Sequence, residues 1–280
     1  MDIKSIGVIG AGQMGAGIAQ AGAQAGLNVL LVDVKEEILL RAFKGIEKSL
    51  AKLAEKGKVQ NPQGILQKVR TSNRTGDLAS CDFVIEAATE NEPLKFGVFE
   101  ELDRICRPEV CLASNTSSIS ITRIAGKTKR PDRVIGMHFM NPVPMMELVE
   151  IIRGLQTSDE TYRLTKALAE KMGKVTVLSK DSAGFIVNRI LVPMINEAIC
   201  ALYQGIGTAE EIDTAMKLGA HQPMGPLALA DLVGLDTVLS VLEVFHASFG
   251  DKFKPCPLLK QYVDAGWMGR KTGRGFYKYS

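Results

Sequence analysis

The amino-acid sequence predicts an α/β fold, with a doubly wound, mostly parallel sheet followed by a second, smaller domain of helices. Short apolar runs alternate with helical segments through the first two thirds of the chain, which is the pattern of parallel strands joined by crossover helices. A glycine-rich turn joins the first apolar run to the first helical segment. Strand-like runs cease after residue 183, where the pattern becomes helical.

The individual elements follow from apolar runs, helical periodicity and capping residues. The predicted strands are at residues 3–9, 29–32, 83–87, 110–113, 134–137, 148–152 and 175–178. The predicted helices between them are at residues 14–25, 36–55, 95–105 and 160–172. Thr208 and Glu211 form a predicted capping box before a later helix, and Gly225 with Pro226 opens another. We therefore expect a sheet domain at residues 1–182 and an all-helical domain at residues 183–280.

Composition and charge exclude several classes of protein. The 280 residues are 46% hydrophobic and 23% charged, and 34 Lys plus Arg against 31 Asp plus Glu give a net charge of +3. Such a chain folds around a core and carries no field that attracts nucleic acid or an anionic membrane. Neither a membrane anchor nor a secretion signal is recognisable, so we expect a cytoplasmic protein.

Cysteine and histidine give no sign of a disulfide framework or a metal site. The five cysteines are odd in number and scattered without a CxxC motif, which favours a reducing compartment. The three histidines lie far apart and lack the short spacing of metal ligands. We therefore expect no metal.

The turn GAGQMG at residues 10–15 predicts a Rossmann-type dinucleotide site, because it lies between a predicted strand and a predicted helix. Gly10 permits the tight turn, Gly12 lets the backbone approach a pyrophosphate, and Gly15 lets the helix pack closely. Gln13 and Met14 complete the turn and are assigned to cofactor binding with it.

Asp33 ends the second predicted strand. A carboxylate at this place accepts hydrogen bonds from the adenosine ribose and repels a 2′-phosphate, which favours NAD over NADP. Lys35 lies close by in the sequence and keeps NADP open as an alternative.

His138 and Glu150 are candidates for proton transfer. His138 follows an apolar strand at the edge where open α/β sheets bind ligands, and Glu150 interrupts the next apolar run. A buried carboxylate needs a partner, and a carboxylate-held imidazole suits a general base. Spacing alone leaves the alternative open that His138 belongs to the core and Glu150 pairs with Arg153 or a lysine.

Residues 113–120 (ASNTSSIS) follow another predicted strand at the same edge. Asn115, Thr116, Ser117 and Ser118 offer groups that could hold a nicotinamide or a substrate oxygen. Such residues are also common in loops and helix caps, and their spacing alone favours these structural roles over ligand binding.

The sequence resembles the short-chain 3-hydroxyacyl-CoA dehydrogenases, in particular their bacterial 3-hydroxybutyryl-CoA branch, over essentially its whole length. The resemblance rests on these segments: GAGQMGAGIA from Gly10, SNTSSIS from Ser114, HFMNPVPMMELVEII from His138, DSAGFIVNRI from Asp181, DTAMKLG from Asp213, PMGPLALADLVGLD from Pro223 and KTGRGFYKY from Lys271. It implies hydride transfer between NAD(H) and a short-chain (S)-3-hydroxyacyl-CoA, with pairing of two chains through the helical domain.

The resemblance also implies a role for particular residues. His138 is the expected general base with Glu150 as its partner, and Ser117 and Asn188 hold the 3-oxygen of the substrate. The expected NAD positions are Asp33, Glu90, Lys95, Asn115, Ser117 and Asn141. The expected coenzyme A positions are Ser49 and Lys56, at the end of a basic stripe on a predicted helix.

Two rival functions remain open from the sequence. A dehydrogenase of free hydroxy acids would use the same two domains without coenzyme A positions. A nucleotide-binding protein without turnover would keep the fold and not need His138, Glu150, Ser117 and Asn188 together.

Overall fold

The structure, a computed structural model, describes residues 3 to 279 and divides into two compact units, one ending at Ser182 and the other beginning at Ala183. Residues 1, 2 and 280, which the predicted domain limits include, lie outside the described residues. The first unit contains an eight-stranded sheet with flanking helices, and the second is mostly helical. The predicted fold class is confirmed.

The strands all belong to the first unit: β1 (Ser5–Ile9), β2 (Asn28–Val32), β3 (Val69–Ser72), β4 (Phe83–Glu86), β5 (Cys111–Ser114), β6 (Val134–Phe139), β7 (Leu148–Arg153) and β8 (Val175–Lys180). The helices of this unit are α1 (Gln13–Gln24), α2 (Glu36–Glu55), α3 (Pro62–Leu66), α4 (Glu92–Ile105), α5 (Ile121–Ala125) and α6 (Asp159–Lys171). The helices of the second unit are α7 (Val187–Tyr203), α8 (Ala209–Gly219), α9 (Pro226–Val233), α10 (Leu235–Phe249) and α11 (Pro257–Asp264).

The strand order explains where a ligand can bind. The strands follow the order β3-β2-β1-β4-β5-β6-β7-β8. The six strands from β3 to β6 in this order are parallel, whereas β7 runs antiparallel to β6 and β8 runs parallel to β7. The chain changes direction across the sheet between β1 and β4, and the crevice at their carboxyl ends is the usual ligand site of such sheets.

Local sequence accounts for the helices that flank the sheet. In α2, the buried side chains Leu39, Ala42, Ile46 and Leu50 recur every three or four residues and face the core. Asn91 begins α4 by accepting a hydrogen bond from the backbone N–H of Leu94 at 3.0 Å. The predicted start at residue 95 is therefore too late, because the Asn91 cap and the Pro93 that follows it begin the helix earlier.

The second unit has its own hydrophobic core and a C-terminal tail that contains backbone bridges. Leu227, Leu242 and Phe245 are fully buried in it. The predicted capping box of Thr208 and Glu211 is present at the start of α8. In the tail of this helical unit, isolated bridges join Gly269 to Arg274 and Arg274 to Lys278.

Candidate active site

The glycine turn between β1 and α1 has the geometry of a dinucleotide loop. Gly10 has a φ of +96°, and a Cβ there would lie 2.7 Å from the backbone carbonyl of Ala87 after β4. A Cβ on Gly15 would overlap the carbonyl oxygen of Gly10. At Gly12 a Cβ would meet nothing within 4 Å, so this part of the backbone is open to an approaching group. The first and third glycines therefore shape the turn, and the second leaves room for a ligand.

We expect Gly15→Ala to weaken NADH binding by about ten-fold or more, because the new Cβ forces α1 away from the turn. Fluorescence titration of NADH measures this change. Gly97→Ala in α4 is the matched control, since a Cβ there meets nothing within 4 Å. Wild-type NADH affinity in Gly15→Ala would show that this turn does not hold the cofactor.

Asp33 lies directly after β2, beside this turn. Its Oδ2 accepts a hydrogen bond from the backbone N–H of Ala11 at 2.8 Å, and its Oδ1 accepts one from the N–H of Lys35 at 3.1 Å. The carboxylate is thus held at the edge of the turn. The first turn of α1 contains no acidic residue, which suits a pyrophosphate at the helix start. The residues present therefore fit an NAD molecule.

Other predicted cofactor residues are joined in pairs around the turn. Gln13 donates from Nε2 to Oδ1 of Asn141 at 3.0 Å, so the turn is tied to the loop after β6. Asn115 accepts a hydrogen bond on Oδ1 from the backbone N–H of Phe139 at 2.8 Å, which links the ends of β5 and β6. Met14 is partly buried against the core of the first unit.

His138 and Glu150 are brought together by the antiparallel pairing of β6 and β7. The two residues lie directly opposite each other in the register. His138 Nδ1 and Glu150 Oε2 are 2.8 Å apart, and the residues are 7% and 0% exposed. Because the carboxylate can only accept a hydrogen bond, Nδ1 carries the proton and Nε2 is the ring nitrogen suited to proton exchange. Arg153, the alternative partner, pairs with Asp159 instead at 2.7 Å.

The strand β6 extends two residues further than predicted, to Phe139. His138 therefore lies inside the strand and not after it, because β7 continues the ladder on the far side as far as Val149. The strand pairing fixes the backbone of both His138 and Glu150, so the imidazole and the carboxylate are held on two rigid elements.

Glu90 organises the loop that follows β5. One carboxylate oxygen accepts hydrogen bonds from the backbone N–H groups of Ser117 and Ser118, at 3.0 and 3.1 Å, and from the Thr116 hydroxyl at 2.6 Å. Burial acts to raise the pKa of Glu90, but the charge of Lys95 and these hydrogen bonds outweigh it and lower the pKa below its usual value. Glu90 is therefore ionised at neutral pH and fixes the position of Ser117.

Lys95 is the buried cation of this region. It is 1% exposed, and its Nζ lies 2.6 Å from Glu86 Oε1 and 3.5 Å from Glu90 Oε2. Sequence reasoning missed Glu86. The signal was present, since Glu86 is a charged residue at the end of an otherwise apolar strand and therefore requires a buried partner.

Ser49 lines a groove between α1, α2 and the loop at residues 141–145, with a volume of about 580 Å³. Arg41 of α2 also lines this groove. Lys56 is exposed at the end of α2. Asn188 lies in the first turn of α7, in the second unit, and its role at the substrate stays a prediction.

Two kinds of feature are absent from the described residues. Between residues 3 and 279, no three His, Cys, Asp or Glu side chains are grouped so as to hold a metal ion. Over the same residues, no helix has the length and apolar character needed to cross a membrane.

A glycine turn at the switch point of a doubly wound sheet, with an acidic residue after the second strand and a histidine nearby, defines an NAD-dependent oxidoreductase. Comparison with known proteins gives its family. Residues 5–182 match the 3-hydroxyacyl-CoA dehydrogenase NAD binding domain, and residues 184–279 match the 3-hydroxyacyl-CoA dehydrogenase C-terminal domain. The chain belongs to the 3-hydroxyacyl-CoA dehydrogenase family, and its cofactor is NAD.

Individual relatives are similar over their full lengths. The chain is 55% identical to a probable 3-hydroxybutyryl-CoA dehydrogenase of Bacillus subtilis, covering 100% of this chain and 98% of the relative. It is 54% identical to a 3-hydroxybutyryl-CoA dehydrogenase of Bradyrhizobium diazoefficiens, covering 99% and 96%. The crystal structure of (S)-3-hydroxybutyryl-CoA dehydrogenase from Ralstonia eutropha matches with a TM-score of 0.97 and 51% identity, covering 100% of both chains.

Proposed function

We propose that this enzyme interconverts (S)-3-hydroxybutyryl-CoA and acetoacetyl-CoA with NAD(H), and that His138 is the general acid and base. The observation that carries the proposal is the buried hydrogen bond of 2.8 Å between His138 Nδ1 and Glu150 Oε2. It lies at the end of β6, next to the end of β5 from which the Ser117 loop continues. The activities named for the similar bacterial enzymes support the choice of substrate.

The proton transfer follows from the geometry of the pair. In oxidation, Nε2 of His138 accepts the proton of the 3-hydroxyl group as the C3–H bond breaks. A bound NAD would supply the acceptor for the C3 hydride in oxidation, and a bound NADH would supply the hydride in reduction. Nδ1 keeps its proton, and the charge of Glu150 stabilises the imidazolium that forms. In reduction, the imidazolium donates the proton back to the 3-oxygen, and such general acid and base catalysis contributes about 10² to 10⁴ in rate.

Two further groups are proposed to hold the 3-oxygen. The hydroxyl of Ser117 belongs to the loop that Glu90 fixes and donates to Glu90 Oε1 at 3.2 Å, so its oxygen is held in a defined place, and its proton would turn to the 3-oxygen when substrate binds. The amide of Asn188 is proposed as the second donor. These hydrogen bonds would polarise the C3–O bond where charge develops during hydride transfer.

The groove beside Ser49 is proposed to take the pantetheine arm of coenzyme A. Its walls include apolar side chains such as Ile46 and Val143 together with Ser49 and Arg41, which suits a largely apolar chain carrying amides. Lys56 at the end of α2 supplies a cation for the phosphates of the coenzyme.

The test is a steady-state assay that follows NADH absorbance with acetoacetyl-CoA or free acetoacetate. We expect kcat/KM to be about 100-fold or more higher for the thioester, since binding of the coenzyme contributes to transition-state stabilisation. We also expect NADH to be preferred over NADPH, because Asp33 repels a 2′-phosphate. Equal kcat/KM for the free acid would replace this proposal with a hydroxy-acid dehydrogenase, and no turnover would remove it.

We also propose that the enzyme works in the cytoplasm as a homodimer formed through its helical unit. Exposed apolar side chains on that unit, including Ile190, Ile206 and Leu218, support a buried interface. All five cysteines are free, and burial raises the pKa of Cys81 to about 12, which suits a reducing compartment. Sedimentation equilibrium should give twice the mass of one chain.

A further inference from the structure

Glu86 occupies the switch point of the sheet. It is the last residue of β4 and lies between Ile9 of β1 and Ser114 of β5 in the strand register. It is 0% exposed, so it reaches a bound cofactor only through its neighbours. Nothing in the mechanism above uses it.

Three donors hold the Glu86 carboxylate. Oε1 accepts hydrogen bonds from Lys95 Nζ at 2.6 Å and from the backbone N–H of Ala88 at 2.7 Å, and Oε2 accepts one from the Ser114 hydroxyl at 2.6 Å. The same Nζ donates to the carbonyl of Ala88 at 3.1 Å. Glu86 therefore fixes the position of the ammonium group of Lys95, a residue that is itself 1% exposed.

The cluster of Glu86, Lys95 and Glu90 carries an excess of negative charge. Glu90 lies 3.5 Å from the same ammonium, so two carboxylates share one cation and leave a net charge of −1. Two members are almost completely buried, where salt and water screen charge weakly. The nicotinamide ring is positively charged in NAD+ and neutral in NADH. A negative cluster on the nicotinamide side of the site therefore favours the oxidised cofactor.

We propose that Glu86 is a positioning residue that acts through Lys95. It holds the ammonium group and keeps the cluster at a net charge of −1, which strengthens the binding of NAD+ relative to NADH. The proposal rests on the placement of Glu90 and Lys95 near the reacting end of the cofactor, because Glu90 accepts a hydrogen bond from Ser117 in the loop after β5, the strand next to β6 that carries His138. It is independent of which hydroxy compound is the substrate.

The test measures dissociation constants of NAD+ and NADH for the purified enzyme by calorimetry, without acyl substrate. In Glu86→Gln the cluster becomes neutral, because Lys95 keeps its charge beside Glu90. We expect the ratio of the NAD+ to the NADH dissociation constant to rise on the order of ten-fold. An unchanged ratio in folded Glu86→Gln overturns the proposal.

The matched control is Asp103→Asn. Asp103 forms an ion pair of 2.7 Å with Arg130 in the same unit, with side chains 9% and 11% exposed. This pair lies near the start of β6, whereas the cofactor site lies at the ends of the strands. We expect Asp103→Asn to lower the thermal unfolding temperature and leave the cofactor ratio unchanged. A ratio that moves equally in both variants would mean that loss of stability, and not the charge at Glu86, is responsible.

Two more variants keep the proposal testable where Glu86→Gln fails to fold. Lys95→Met alone, and Lys95→Met combined with Glu86→Gln, both lack the ammonium group through which Glu86 is proposed to act. We expect these two proteins to have the same affinities for NAD+ and for NADH within about two-fold. A further loss of affinity on adding Glu86→Gln to Lys95→Met would show that Glu86 does not act through Lys95.

The assay with acetoacetyl-CoA separates this proposal from the proposed function. If acetoacetyl-CoA is not preferred over acetoacetate, the predicted ratios of the NAD+ and NADH dissociation constants still stand, because the binding experiment contains no acyl substrate. Failure of the ratio prediction leaves the choice of substrate untouched.

Discussion

His138→Gln is expected to lower kcat by about 10³-fold while the dissociation constant of NADH stays within about two-fold of the wild-type value. Glutamine fills a similar space and can still accept a hydrogen bond, but it neither takes nor gives a proton at neutral pH. The loss therefore falls on the proton-transfer step and not on cofactor binding. Steady-state kinetics with acetoacetyl-CoA and a separate NADH titration measure the two quantities.

The chain offers a matched control for this substitution. His246 pairs with Asp251 at 2.8 Å, the same length as the His138 pair, but the side chains are 38% and 94% exposed and lie in the helical unit. His246→Gln should therefore retain most of the wild-type kcat. If His138→Gln also kept more than about a tenth of wild-type kcat, His138 would not be the general acid and base.

The sequence predicted most of the first unit because its strands and helices have strong local patterns. The edge strand β3, Val69–Ser72, was missed. Only Val69 is buried in it, and the remaining three residues are polar, so an apolar run is not visible. The strand forms because its backbone pairs with β2, which is a tertiary contact that no local pattern encodes.

Individual residues of the candidate site could be predicted from the sequence, but which of them pair with each other could not. An apolar strand before His138 and a charged residue within the next strand were visible in the sequence. Their spacing could not show that the two strands run antiparallel with these residues opposite each other, because the intervening loop sets the register. The Glu86–Lys95 ion pair was hidden for a similar reason, since it joins the end of β4 to the side of α4.

Glu150→Gln is expected to lower kcat by about 10²-fold and to change the pH dependence of the reaction. In the wild type, the carboxylate accepts the Nδ1 proton of His138 at 2.8 Å and its charge favours the imidazolium. Glutamine is neutral and can also turn its NH₂ group toward Nδ1, which selects the wrong tautomer. The variant therefore loses both the orientation of the ring and the stabilisation of its charge.

The pH profile reports on the proton that each reaction needs. Reduction of acetoacetyl-CoA requires the imidazolium of His138, and oxidation requires its neutral ring. Because Glu150→Gln removes the negative charge beside this ring, we expect its profile to be displaced from that of the wild type. Rate profiles of kcat/KM against pH for reduction measure the displacement.

Glu147→Gln is the control for this experiment, since Glu147 precedes the same strand but is exposed. Its profile should coincide with that of the wild type. A Glu150→Gln profile that fell at the same pH as the wild type would mean that the carboxylate does not act on the charge of the ring. A Glu150→Gln profile that is displaced with little change in kcat would mean that the carboxylate acts on the charge of the imidazole only. The orientation of the ring would then come from the strand pairing alone. The displacement and the loss of kcat thus separate the two effects that a buried carboxylate has on its histidine.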